Sequence, residues 1–173
     1  MTQTRQGVTL EGEEVTLVGS RPEVGKPAPD FMAVDENLDT VPFSSLGDNI
    51  FVLSSVVSLD TPVCNKETKE FNEQAAKFGE DVEVLTISMD LPFAQERWCG
   101  TEGVENVTTL SDYRDASFGL AYGVLMKDLR LLARAIFVVD RDRTLRYKQV
   151  VPEVTEEPDY EPVLECLRNL TRE

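Results

Sequence analysis

Ile50-Phe51-Val52-Leu53-Ser54-Ser55-Val56-Val57 leads through Ser58-Leu59-Asp60 to Thr61-Pro62-Val63-Cys64, and the segment closes on Val82-Glu83-Val84-Leu85-Thr86-Ile87-Ser88-Met89. The first run is short, apolar and rich in β-branched residues, the pattern of a strand buried on both faces of a sheet. Thr61 is a good helix N-cap and Pro62 suits the first helical position. Cys64, Thr68, Phe71, Ala75 and Phe78 then recur at helical spacing until Gly79 stops the run. The 82–89 run reads as a second strand, so the stretch predicts a βαβ unit with parallel strands and a right-handed crossover.

Upstream, Val8 and Leu10 alternate with polar residues, Glu11-Gly12-Glu13-Glu14 supplies a turn, and Val15 and Leu17 resume the alternation. That predicts an N-terminal hairpin against the edge of the main body. Residues 21–30, with Pro22, Gly25, Pro27 and Pro29, read as an extended connector. Downstream, a short helix is expected from Pro92 to Gly100, a strand at Val107–Leu110 and a helical turn at Ala116–Tyr122. Leu132–Val139 and Thr144–Val151 flank a polar turn and predict an antiparallel hairpin, and Tyr160, Val163, Leu164, Leu167 and Leu170 form the stripe of a last helix. The expected class is α/β with a thioredoxin-like order: a mixed central sheet flanked by helices, one domain over 1–173 with residues 1–20 as a hairpin extension.

Composition narrows the chemistry. The 173 residues are 41% hydrophobic and 28% charged, with a formal charge of -15, three cysteines and no histidine. No apolar run approaches a bilayer-crossing length of roughly 20 residues, and the negative charge repels nucleic-acid phosphates and anionic lipid. The expectation is therefore no membrane and no nucleic-acid partner. The first residues carry no apolar run followed by small cleavage-site residues, which reads as cytoplasmic. Without histidine, Ser-His-Asp and Cys-His pairs and His-based zinc sites are excluded. Cys64, Cys99 and Cys166 have neither CxxC spacing nor an even count, so their interest is redox.

Cys64 falls at about the third residue of its helix, where free backbone N–H groups and the helix dipole favour an anion. A thiolate there needs no histidine base, since cysteine pKa values fall from about 8.5 into the range of roughly 3.5–7.5 at such positions. A lone cysteine in an apolar pattern is nevertheless more often a small core residue. Cys99, beside Trp98, reads the same way, and Cys166 is taken as structural.

The surrounding strings decide between those readings. Ser58-Leu59-Asp60-Thr61-Pro62-Val63-Cys64 resembles the peroxidatic loop of the thiol peroxidases, the atypical two-cysteine peroxiredoxins of bacteria. Ser88-Met89-Asp90-Leu91-Pro92-Phe93-Ala94-Gln95 with Arg97-Trp98-Cys99-Gly100 is similar to their resolving segment. Ser111-Asp112-Tyr113-Arg114, Tyr122-Gly123-Val124, Leu131-Leu132-Ala133-Arg134-Ala135 and Val151-Pro152-Glu153-Val154-Thr155 fit as well. The resemblance implies that Cys64 is the peroxidatic cysteine and Cys99 the resolving one. It further implies that Thr61 hydrogen-bonds the peroxide and thiolate, that Arg134 is the partner cation, and that Gln95 shapes the pocket.

By the same resemblance the substrates are hydrogen peroxide and alkyl hydroperoxides, no cofactor is used, thioredoxin is the reductant and a homodimer the working unit. Two cysteines on separate helices rarely meet disulfide geometry without movement, so both segments are expected to unfold locally on oxidation. At Val57, four residues before Thr61, the family has a proline. Valine keeps the apolar bulk but not the fixed φ, and a slower peroxide step is expected. Competing readings are a non-enzymatic redox sensor and a thioredoxin-fold scaffold. Lys127, Arg130 and the acidic stretch Glu153–Asp159 read as solvated surface.

Overall fold

The structure, a computed structural model, describes residues 3–172. The opening strand-helix-strand stretch forms as expected. Strand β5 (Ile50–Ser55), helix α1 (Pro62–Phe78) and strand β6 (Val82–Ser88) follow β1 (Thr4–Leu10), β2 (Glu13–Val18), β3 (Met32–Val34) and β4 (Thr40–Pro42). After them come α2 (Pro92–Glu102), β7 (Val107–Ser111), α3 (Ser117–Tyr122), β8 (Leu125–Met126), β9 (Ala135–Val139), β10 (Leu145–Val150) and α4 (Tyr160–Thr171).

The main sheet has the order β10-β9-β5-β6-β7-β3-β4. β5 pairs parallel with β6 and β6 with β7, whereas β9 runs antiparallel to β5. Period-two alternation divides the core between the two faces. Phe51, Leu53, Leu85, Ile87, Phe137 and Val139 face one cluster, shared with the first hairpin and α3. Val52, Val84, Ile136 and Val138 face a second, filled by Phe71 of α1, Trp98 of α2 and Val163, Leu167 and Leu170 of α4. Arg134, one residue before β9, is in phase with Ile136 and Val138, and so emerges on the face that α1 covers.

The N-terminal hairpin turns through Glu11 and Gly12, both at positive φ (51° and 83°), the combination that matches the twist of two-residue hairpins. It builds a separate three-stranded sheet, β1-β2-β8. The strands β3, β4 and β8 were not expected; at two or three residues each they are too short to show alternation. Two expected ends also move. Helix α2 continues through Gly100 and stops at Gly103, whose left-handed φ of 66° supplies the C-cap. The first strand of the late hairpin begins at Ala135 and not at Leu132, which makes only an isolated bridge with Leu125.

Candidate active site

Thr61 takes the N-cap position with extended backbone, Pro62 and Val63 make the first turn, and Cys64 follows with no exposed surface. The Thr61 side chain makes no capping bond; its Oγ1 donates to Ser58 O at 2.9 Å, which folds the preceding loop. The family resemblance points that hydroxyl at sulfur and peroxide, whereas here its donated hydrogen bond goes to the Ser58 carbonyl.

From the residue just before β9, Arg134 reaches the same point. Its Nη2 donates to Cys64 Sγ at 3.1 Å, its Nε donates to Val154 O at 2.9 Å, and its Nη1 forms an ion pair with Glu67. Cys64, Glu67 and Arg134 are all buried, and Ser54 Oγ donates to the second Glu67 oxygen at 3.1 Å. Three donors of one rigid fork thus meet a sulfur, a carboxylate and a carbonyl, which an ammonium could not reproduce. Burial pushes the Glu67 carboxyl up to about 7, against the pull of Arg134 and the Ser54 hydrogen bond. Burial works to lower the Arg134 pKa, but Glu67 and Cys64 outweigh it and the net direction is upward, so the guanidinium stays charged.

Glu67 is the residue that sequence reading missed. Its spacing of three from Cys64 on one helix was the available signal, because residues so spaced share a face. The stretch after Val150, read as a solvated acidic loop, also contributes. Val154 supplies the carbonyl for Arg134, and Glu153 accepts from Gly12 N at 2.8 Å and from Thr9 Oγ1 at 2.9 Å, tying the first hairpin to the strap beside the site.

Cys99 lies in the last turn of α2, half-buried, with its Sγ 3.9 Å from Thr109 Oγ1, and burial pushes its thiol up. It lines a groove with Asp35, Glu36 and Asn37 and packs against the same apolar cluster as Cys64. All three cysteines are free thiols. Gln95, expected to shape the pocket, is buried and donates to Ser88 Oγ at 3.0 Å and Leu110 O at 2.9 Å, clamping α2 to the sheet. Cys166 sits half-buried on α4 with its thiol also pushed up by burial, and Lys127 and Arg130 are exposed.

A buried sulfur at a helix N-terminus, held by a permanently charged guanidinium, suits nucleophilic attack with charge developing on a departing oxygen. Comparison with known proteins agrees. The Redoxin family model matches residues 23–164. The thiol peroxidase of Staphylococcus saprophyticus is 47% identical over 163 residues, 94% of this chain and 98% of that protein.

The chain belongs to the thiol peroxidases of the redoxin family.

The thiol peroxidase of Bacillus subtilis is 47% identical over 165 residues, covering 95% of this chain and 98% of that one. Among solved structures, a peroxiredoxin-like protein from Aquifex aeolicus shares 44% identity at a TM-score of 0.88, covering 96% of this chain and 97% of that chain. A thiol peroxidase from Chromobacterium violaceum, 20% identical, shares the fold at a TM-score of 0.84 over 94% of this chain and 95% of that one. The fold is thus thioredoxin-like, and the chain is an enzyme, a thiol-dependent peroxidase that takes hydroperoxides and draws on a thiol reductant. Among the described residues no helix is long and apolar enough to cross a membrane.

Proposed function

We propose that residues 1–173 form one catalytic unit in which Cys64 is the peroxidatic thiol and Cys99 the resolving thiol. The Cys64 thiolate attacks the terminal peroxide oxygen, the O–O bond breaks, and the departing alkoxide or hydroxide takes a proton and leaves as alcohol or water. Cys64 is thereby oxidised to a sulfenic acid. The Cys99 thiol then displaces its hydroxyl, giving a Cys64–Cys99 disulfide and water. Arg134 stabilises both the thiolate and the oxygen that gains charge, and Thr61, on the turn before Cys64, orients the peroxide. The observation that carries this reading is the 3.1 Å donation from the buried Arg134 fork to Cys64 Sγ.

Thioredoxin is the dithiol reductant on this reading, the site of action is cytoplasmic, and a homodimer is the working form. The exposed Leu91 and Phe93 at the root of α2 are available to such a contact. The deciding experiment is single-turnover oxidation of the reduced chain by one equivalent of cumene hydroperoxide, followed by mass spectrometry of the Cys64 and Cys99 peptides. Rapid formation of an internal disulfide, absent in Cys64→Ser, is expected, with turnover when a thioredoxin system is added. An internal disulfide without turnover would instead favour a redox sensor, and a Cys64 that stays reduced for hours would favour a scaffold.

A further inference from the structure

Ser88 ends strand β6 and Asp90 lies on the connection to helix α2, beside the loop that precedes Cys64. The half-buried Asp90 carboxylate accepts from Ser58 Oγ at 2.7 Å and from Leu59 N–H at 2.9 Å. It also accepts from Ser88 Oγ at 2.8 Å. Ser58 in turn provides the carbonyl that receives the Thr61 hydroxyl at 2.9 Å and the Thr61 N–H at 3.1 Å. On the other side, Ser88 Oγ accepts from Gln95 Nε2 at 3.0 Å. Gln95 and Cys99 lie four residues apart on α2, one helical turn. Asp90's own carbonyl accepts from Ser111 Oγ at the end of β7, which fixes its backbone. One carboxylate therefore anchors both the turn that presents Cys64 and the root of the helix that carries Cys99.

We propose that Asp90 is a positioning residue for the peroxidase reaction, a latch that holds the Ser58–Thr61 loop against the root of α2 and whose release precedes disulfide formation. This rests on the Cys64–Cys99 cycle proposed above. While the latch is closed, Cys64 remains buried under Arg134 and Cys99 remains in the last turn of α2, the arrangement in which peroxide is attacked. Condensation of the Cys64 sulfenic acid with the Cys99 thiol forms the S–S bond and releases water, and it needs the two sulfurs adjacent. The loop or the helix root must then leave the carboxylate. Hydrogen bonds to a charged group are each worth roughly tenfold or more in such an equilibrium, so the latch sets how often the open form is visited.

The test uses the full reduced chain and stopped-flow emission of Trp98, the chain's one tryptophan, which is buried beside Cys99. The phase whose rate rises with peroxide concentration reports sulfenic acid formation, and the concentration-independent phase reports disulfide formation, checked by quenched mass spectrometry. Asp90→Asn keeps the shape, removes the charge that strengthens all three hydrogen bonds and turns one of the two acceptor oxygens into a donor. It is expected to raise the concentration-independent rate on the order of ten- to a hundredfold and to lower the fraction of Cys64 overoxidised by excess peroxide. Ser58→Ala removes one strut only; it is expected to change both quantities in the same direction by less, and serves if Asp90→Asn fails to fold.

A residue needed only for stability would lower the melting temperature without accelerating disulfide formation. An unchanged or slower concentration-independent phase in the folded variants overturns the latch while leaving the two-cysteine cycle standing. A wild-type chain that forms no Cys64–Cys99 disulfide overturns the cycle and the latch with it.

Discussion

Replacing Glu67 by glutamine separates the two forces acting on that carboxyl: burial, which favours its neutral form, and Arg134, which favours its charge. The structure has burial ahead, with the group moved from 4.5 to about 7 and no exposed surface. Between those values the folded chain holds a proton that the unfolded chain has lost. Stability therefore falls as pH rises from about 4.5 to about 7 and levels off above. At about 1.4 kcal/mol per unit, the full penalty at pH 8 is about 3 kcal/mol, and at pH 5 only about 1 kcal/mol of it has developed. Glutamine mimics the protonated acid, still presents an oxygen to Arg134, and removes the titration. Relative to wild type, Glu67→Gln should gain about 2 kcal/mol in going from pH 5 to pH 8. In urea, with a slope of roughly 1–3 kcal/mol per M, that is a relative midpoint shift on the order of 1 M. Asp112, which burial pushes up to about 6, contributes a slope of the same sign, but it is common to both proteins and cancels in the difference. Equilibrium unfolding of the reduced proteins at the two pH values is the assay. A variant that loses more stability at pH 8 than at pH 5 would refute the reasoning, because it would mean that attraction to Arg134 outweighs burial.

Arg134→Lys should slow the peroxide step roughly 10²- to 10³-fold, since one ammonium cannot serve Cys64, Glu67 and the Val154 carbonyl together. A stopped-flow rate within a few-fold of wild type would count against the fork. Val57→Pro, which restores the family residue beside the peroxidatic loop, is expected to speed the same step, and an unaltered second-order rate constant would remove position 57 from the account. Gly123 terminates α3 at φ +70°, and a Cβ there would lie 2.1 Å from Ser20 O. Gly123→Ala should therefore destabilise by about 2 kcal/mol or more, read as a lower melting temperature, and an unchanged transition would contradict the close approach.

The β5-α1-β6 core was legible because each element carries a strong period and a strong stop: β-branched runs for the strands, Thr61-Pro62 at the start of the helix and Gly79 at its end. The late hairpin and α4 were legible for the same reason. Strands β3, β4 and β8 were not, because pairing with neighbours stabilises segments whose own pattern is too short to register. Gly100 read as the end of α2 because glycine commonly ends helices, yet only Gly103 has the positive φ that a cap requires. In the candidate site, Cys64 and Arg134 stood out through their surrounding strings. Glu67 did not, because Asn65-Lys66-Glu67-Thr68-Lys69-Glu70 has the composition of a solvated face. Its burial follows from tertiary context: Arg134 arrives from the residue before β9 and Ser54 from β5, both on the face that α1 covers.

A chain without histidine must control charge at a buried thiol by other means, and the arrangement around Arg134 shows how. The guanidinium is fixed at three points by elements that are far apart in sequence: α1 gives sulfur and carboxylate, and the strap after β10 gives a carbonyl. One cation faces two acids in a buried volume, and ionising both fully would leave a net buried negative charge. Burial raises Glu67 accordingly, so near neutrality this carboxyl takes up a proton and its pull on Arg134 weakens. The same burial that makes Glu67 costly to ionise thus lessens its competition with Cys64 for the Arg134 charge, while the guanidinium stays hydrogen-bonded to both. The pH dependence of Glu67→Gln and the rate loss of Arg134→Lys are consequently two measurements of one electrostatic balance.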